Sequence, residues 1–108
     1  MSKTIEITKD NIDEILSTKK LVILDFWATW CGPCKMYSPI IESFAEHNTS
    51  SDVVVGKIDC DEQKEVVTKY SIKSIPTTIV IKNSEVVERK TGVVSENDLN
   101  EILLKHTA

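Results

Sequence analysis

Apolar positions along this chain switch between a two-residue period and a three-to-four-residue period, and those switches predict its elements. Residues 4–7 read as a short strand. Asp10 is placed to cap a helix whose apolar face is Ile12, Ile15 and Leu16, an i, i+3, i+4 set. Residues 21–28 are apolar on both faces, as expected of a central strand in a covered parallel sheet. A second helix begins at the cysteine pair, with Tyr37, Ile40, Ile41, Phe44 and Ala45 on one side and Lys35, Glu42 and Glu46 on the other. Pro39 falls inside that stripe. Lacking an N–H and clashing one turn back, it predicts a kink there.

Residues 53–58 predict a third strand, followed by a short helix capped by Asp61 with Val66, Val67 and Tyr70 facing inward. Residues 77–81 and 86–91 are β-rich runs joined by Lys82-Asn83-Ser84-Glu85, the pattern of a hairpin. Ser95 and Asp98, a capping-box-like pair, open a last helix that buries Leu99, Ile102 and Leu103. The order is βαβαβα, then ββα. Strands alternating with helices require right-handed parallel crossovers, and the hairpin adds an antiparallel edge. The expected class is α/β, a mixed sheet of about five strands with helices on both faces.

A chain of 108 residues is read as one domain, 1–108, whose core needs no staple. Its 41% hydrophobic and 28% charged residues are ordinary for a globular protein. A net charge of −4 argues against nucleic-acid binding, which needs a basic footprint. Residues 1–16 carry Lys3, Glu6, Lys9, Asp10, Asp13 and Glu14 and no apolar leader. The most apolar stretch, residues 21–30, is interrupted by Asp25 and is too short to span a bilayer, and residues 105–108 show no lipidation or retention signal. The expectation is a cytoplasmic protein with no membrane or nucleic-acid partner.

Cysteine changes this picture most. Three cysteines do not suit a disulfide framework, and in a reducing compartment a close pair is catalytic or metal-binding more often than structural. Cys31-Gly32-Pro33-Cys34 lies where a strand gives way to a helix. Unpaired N–H groups in a helix's first turn, together with its dipole, favour negative charge and so ionise a thiol. Pro33 needs no N–H there, and Gly32 allows close approach of another chain. The same spacing is half of a zinc site. The further ligands available are Cys60, His47 and His106, none in a second paired motif, so no metal is expected. Asp25 shares a strand face with Ile23 and Trp27. The pattern alone reads it equally as a desolvated acid with a raised pKa and as an ordinary acid reaching solvent.

The run Asp25-Phe26-Trp27-Ala28-Thr29-Trp30-Cys31-Gly32-Pro33-Cys34-Lys35-Met36 resembles the active-site segment of the thioredoxin family. The likeness extends through Pro39, Lys57-Ile58-Asp59, Ile75-Pro76-Thr77 and Gly92. It implies the thioredoxin fold and a general protein-disulfide reductase, with Cys31 as attacking and Cys34 as resolving cysteine. Cys31, at the very end of the helix, should be the more exposed. The resemblance makes Asp25 the proton acceptor and Lys57 its partner. It implies a cis Ile75–Pro76 bond facing the cysteines, and a substrate-docking surface of Trp30, Gly32, Pro33, Ile75, Pro76, Gly92 and Val93. Trp27 would pack beneath the site. No bound cofactor is implied; electrons would come from a thioredoxin reductase, the other partners being disulfide-containing proteins, and the chain would be a monomer.

Cys60 reads as a small, partly buried hydrophobe and Tyr37 as packing, while His47 and His106 sit toward helix C-termini where a cation is favoured. Two departures from the family pattern concern geometry. Ser84 stands where a glycine usually completes the hairpin turn, which predicts a different turn or strain, and Ser74 stands where a glycine often lies. Two other functions compete. An oxidant or isomerase of this fold usually places a histidine between the cysteines, absent here. Cys31, Cys34, Asp25 and Pro76 together weigh against a binding or chaperone subunit as the main role, though not as a second one.

Overall fold

The computed structural model describes residues 3–19 and 21–107, so residues 1, 2, 20 and 108, including both ends of the expected domain, lie outside the described residues. Its elements in chain order are β1 (Ile5–Glu6), α1 (Ile12–Thr18), β2 (Leu21–Trp27), α2 (Gly32–Asn48) and β3 (Val53–Asp59), then α3 (Lys64–Lys69), β4 (Thr77–Lys82), β5 (Glu85–Thr91) and α4 (Glu96–Thr107). One five-stranded sheet has the order β1-β3-β2-β4-β5. β3 is parallel to both β1 and β2, whereas β4 is antiparallel to β2 and to β5. This is the expected mixed sheet.

β2 lies at its centre because its side chains can be buried on both faces. Leu21 through Phe26 are all buried. Val22, Leu24 and Phe26 meet Ile12 and Leu16 of α1 and Val66 of α3. Leu21 and Ile23 meet Tyr37, Ile41 and Phe44 of α2 and Leu99 of α4. Each fully buried large side chain contributes roughly 1.5–3 kcal/mol, so two such layers hold the sheet between the helix pairs. Gly56 of β3 permits a close approach on the α1 side: a Cβ there would overlap the buried Ile7 side chain and press on Leu24 Cδ2 at 3.1 Å.

Two expected caps are replaced. α1 starts beyond Asp10, because Asn11 accepts the Thr8 N–H at 2.8 Å and donates its amide to the Glu6 carbonyl at 2.9 Å, locking the preceding turn. α3 starts beyond Asp61. There Asp59 Oδ1 accepts the Asp61 N–H at 2.9 Å and organises the turn, and Asp61's own carboxylate is engaged by Trp30. Ser95 does cap α4, its hydroxyl accepting the Asp98 N–H at 3.1 Å. α2 continues as one helix through Pro39. β1 is shorter than the expected residues 4–7.

The hairpin keeps the usual tight turn despite Ser84. Lys82 pairs with Glu85, and the two residues between them, Asn83 and Ser84, have φ of 51° and 69°. A two-residue loop with both φ values positive matches the twist of the flanking strands. Of the two outcomes expected of Ser84, a different turn or strain, the second is found: its Cβ makes this left-handed conformation unfavourable. Ser84→Gly should stabilise the protein by about 0.5–1 kcal/mol, the relief of a left-handed side chain less glycine's extra unfolded entropy. Urea unfolding with an unchanged slope and a higher midpoint would show it; an unmoved or lower midpoint would contradict the assignment.

Candidate active site

α2 begins on a cysteine. Cys31 is its N-cap residue, extended at φ −92° and ψ 112°, and its sulfur accepts the Cys34 N–H at 3.2 Å. A sulfur in that position stands where a cap oxygen ordinarily does, facing the helix's unpaired N–H groups. Pro33 occupies the first turn, where its missing donor costs nothing. Cys31 and Cys34 are joined as a disulfide, with Cα atoms 5.3 Å apart. The expected contrast in exposure is slight in this oxidised state: Cys31 is 5% and Cys34 3% exposed.

Among the residues expected to form a docking surface, Ile75 reaches Cys31. Its sulfur lies 3.9 Å from the Ile75 carbonyl oxygen, and the Ile75–Pro76 peptide is cis. Gly92, at φ 92°, donates its N–H to the Pro76 carbonyl at 2.8 Å, which brings Gly92 and Val93 to the same end of the sheet. Trp30 is 68% exposed yet fixed, its Nε1 donating to Asp61 Oδ2 at 2.9 Å. Gly32, Pro33 and Val93 are exposed, Ile75 is half-buried and Pro76 is buried. Trp27 packs against the cysteine pair and Ala28, as expected.

Beneath the disulfide lies Asp25, 1% exposed, with its Oδ1 lacking any hydrogen-bond partner. Desolvation raises its pKa to about 7, outweighing the lowering influence of Lys57; the Glu42 carboxylate adds a smaller upward push. The alternative of a solvent-exposed acid is excluded. A cavity of about 380 Å³ is lined by Asp25, Trp27, Cys34, Lys35, Ser38 and Lys57, and so joins the acid to the second cysteine. Lys57 is Asp25's register partner on β3, but its ammonium donates to Ser38 Oγ at 2.9 Å and lies 5.4 Å above the Trp27 ring.

Two residues around Asp25 and Lys57 are not marked by the sequence pattern. Thr78, the register partner of Asp25 on β4, shares a 2.8 Å hydrogen bond with Tyr37 Oη, and both side chains are fully buried. Ser38 is the other. Both helix residues follow Cys34 at three- and four-residue spacing, the signal that would have placed them on its face. Cys60 is half-buried, packs against the α1/α3 layer, and has its thiol pushed up to about 11, by burial first and then by Asp59, Asp25 and Asp61. His47 and His106 sit away from the site, 3.6 Å from Glu96 and Glu88 respectively. Among the described residues no group of three or more His, Cys, Asp or Glu is arranged to hold a metal ion, and no helix is long and apolar enough to cross a membrane.

The family model described as Thioredoxin matches residues 3–105. A thioredoxin of Buchnera aphidicola is 43% identical over 104 residues, covering 95% of each chain. One from Staphylococcus haemolyticus is also 43% identical over 104 residues, covering 94% of this chain and 96% of the relative. Among solved structures, a mutant thioredoxin from Halobacterium salinarum superposes with a TM-score of 0.89 at 30% identity, covering 99% of this chain and 94% of that one.

An acid with a pKa near 7 in the folded protein and 3.8 when unfolded makes the folded state bind the extra proton between those values. Stability therefore falls as pH rises through that window, by roughly 4 kcal/mol in full. Asp25→Asn removes the ionisation while keeping the shape. Its stability advantage over wild type should widen by roughly that amount between pH 4 and pH 8 in urea unfolding. A gap that stays constant with pH would show that Asp25 titrates normally.

Proposed function

Because this chain belongs to the thioredoxin family, whose members are thiol–disulfide oxidoreductases, we propose that it is a general protein-disulfide reductase in which Cys31 attacks, Cys34 resolves and Asp25 accepts the intervening proton. The observation that carries the assignment of roles is the cysteine pair at the start of α2, set over a cavity that reaches a buried, unpartnered carboxyl group. In the reduced protein the Cys31 thiolate takes the place of a cap anion, facing the Cys34 N–H. It attacks one sulfur of a substrate disulfide, forming the mixed disulfide and releasing the other sulfur as a thiolate that takes up a proton. Cys34 passes its proton to Asp25 and attacks the Cys31 sulfur. The Cys31–substrate bond breaks, the second substrate sulfur leaves as a thiolate that takes up the proton held by Asp25, and the Cys31–Cys34 disulfide seen in the structure remains.

Near neutrality a base with pKa about 7 is divided between its two protonation states, as a group that accepts and then returns a proton requires. Lys57 limits the rise without pairing directly. Trp30, Gly32, Pro33, Ile75, Pro76, Gly92 and Val93 form the substrate face, where an extended segment can lie beside the backbone preceding β4. Gly32 and Pro33 put no cation between the sulfurs, which favours a reductant over an oxidant or isomerase. Electrons would return through a thioredoxin reductase, and no bound cofactor takes part. One sheet covered on both faces supports a single domain, which we read as a monomer. The unpaired Cys60 fits a reducing compartment such as the cytoplasm.

Insulin-disulfide reduction with dithiothreitol should be abolished in Cys31→Ser, while Cys34→Ser should accumulate substrates as mixed disulfides. Equilibration against glutathione should give a potential on the order of −270 mV, the general value for thioredoxins. A value near the roughly −180 mV of an isomerase would overturn the reductant reading.

A further inference from the structure

Asp25 is flanked by a polar side chain on each neighbouring strand, Lys57 on β3 and Thr78 on β4, yet its Oδ1 is bonded to neither. Both neighbours are engaged by α2. Lys57 Nζ donates to Ser38 Oγ at 2.9 Å, and Thr78 Oγ1 is bonded to Tyr37 Oη at 2.8 Å. Tyr37 and Ser38 follow Cys34 by three and four residues, so they occupy the next turn on the same side of the helix, and Ser38 lines the cavity with Cys34.

We propose that Ser38 is a positioning residue for proton transfer: its hydroxyl holds the Lys57 ammonium off Asp25 and leaves the carboxyl group free to take the Cys34 proton. The inference rests on the reading of Asp25 as proton acceptor. An ammonium in contact with a carboxylate lowers its pKa by about 1–3 units, and an acid so lowered is a poor base near neutrality. Anchored on Ser38 with the Trp27 ring 5.4 Å away, the cation has a neutral acceptor and an aromatic face in place of the carboxylate. It lines the same cavity of about 380 Å³ as Asp25, so the space for a swing toward the acid is already present.

The titratable and charged groups facing Asp25 come from several elements. β3 supplies Lys57 and, just beyond its end, Cys60; α2 supplies Glu42, Tyr37, Cys34 when reduced, and Lys35 on the cavity wall; β4 supplies the neutral Thr78. Of the two cations, Lys57 alone is Asp25's cross-strand neighbour. Its placement therefore decides how much positive charge the carboxyl group meets.

The test is a titration of the Asp25 carboxyl carbon by NMR in the oxidised protein, together with the pH profile of mixed-disulfide release. In Ser38→Ala the Asp25 midpoint should fall by about one pH unit, a tenfold change, and the release profile should move the same way. Ser38→Thr, which keeps the hydroxyl, should titrate as wild type. In a Lys57→Met background, Ser38→Ala should shift nothing. A midpoint that stays or rises in Ser38→Ala, or an equal fall without Lys57, overturns the inference. If the release profile responds to Asp25→Asn while the Ser38→Ala midpoint stays put, the inference alone fails. A profile indifferent to Asp25→Asn removes the proton-acceptor reading and the inference with it.

Discussion

An ionisable carboxyl group held at the centre of the sheet and almost wholly buried is the constraint on which the site depends. Asp25 lies in a strand whose neighbours from Leu21 to Phe26 are buried, and burial makes its ionised form costly. A surface acid would be fully ionised at neutral pH and could accept a proton only weakly. An acid paired with a cation would be weaker still as a base. For the proposed proton transfer, burial without direct pairing would supply the useful state, and the price is a fold less stable above neutrality than its apolar core alone would make it.

α2 connects that constraint to the chemistry. Its N-terminus presents Cys31 and Cys34, its next turn supplies Tyr37 and Ser38, and its middle anchors Ile41 and Phe44 in the layer shared with α4. The helix is thus held by its apolar residues while its first two turns carry polar work. β2 answers from below: the alternation that points Leu21 and Ile23 into the same layer also points Asp25 there, toward the cavity beneath Cys34. A slip of one residue in β2 would send Asp25 to the α1/α3 side and leave the sulfurs over an apolar floor.

Much of this was legible in the sequence because it depends on periodicity. The doubly apolar run at 21–28 announced a central strand, and the Tyr37, Ile41 and Phe44 stripe announced which side of α2 is buried. Caps were less legible, since neighbouring polar residues compete for the same role. Asn11 displaced Asp10 by bonding backwards to Glu6 and Thr8, and Asp61 was engaged by Trp30, from a distant part of the chain. The Asp25 environment could be expected only in part. That Lys57 stands beside it followed from the family resemblance; that Lys57 bonds Ser38 depends on strand register and helix height together. Thr78 was hidden for the same reason, being an ordinary β-former whose importance lies in what stands opposite it.

Burial of the cysteine pair imposes a last requirement. Cys31 and Cys34 are 5% and 3% exposed as whole residues, so the oxidised pair is recessed and a partner thiol must be brought to it. Attack on a disulfide depends on access and on which sulfur is reached. Trp30 stands out beside Cys31, its indole N–H bonded to Asp61. On the other side Ile75 brings its carbonyl oxygen to 3.9 Å from the Cys31 sulfur, and the Gly92 bond to Pro76 ties that segment to the end of β5. Side chains of the partner need not be recognised for such a surface to work, because backbone groups and a flat apolar face are common to many sequences. On the proposed reading, one arrangement would serve both breadth of substrate and protection of the cysteines: the pair is recessed, and the surface around it offers an extended segment a backbone edge beside Cys31.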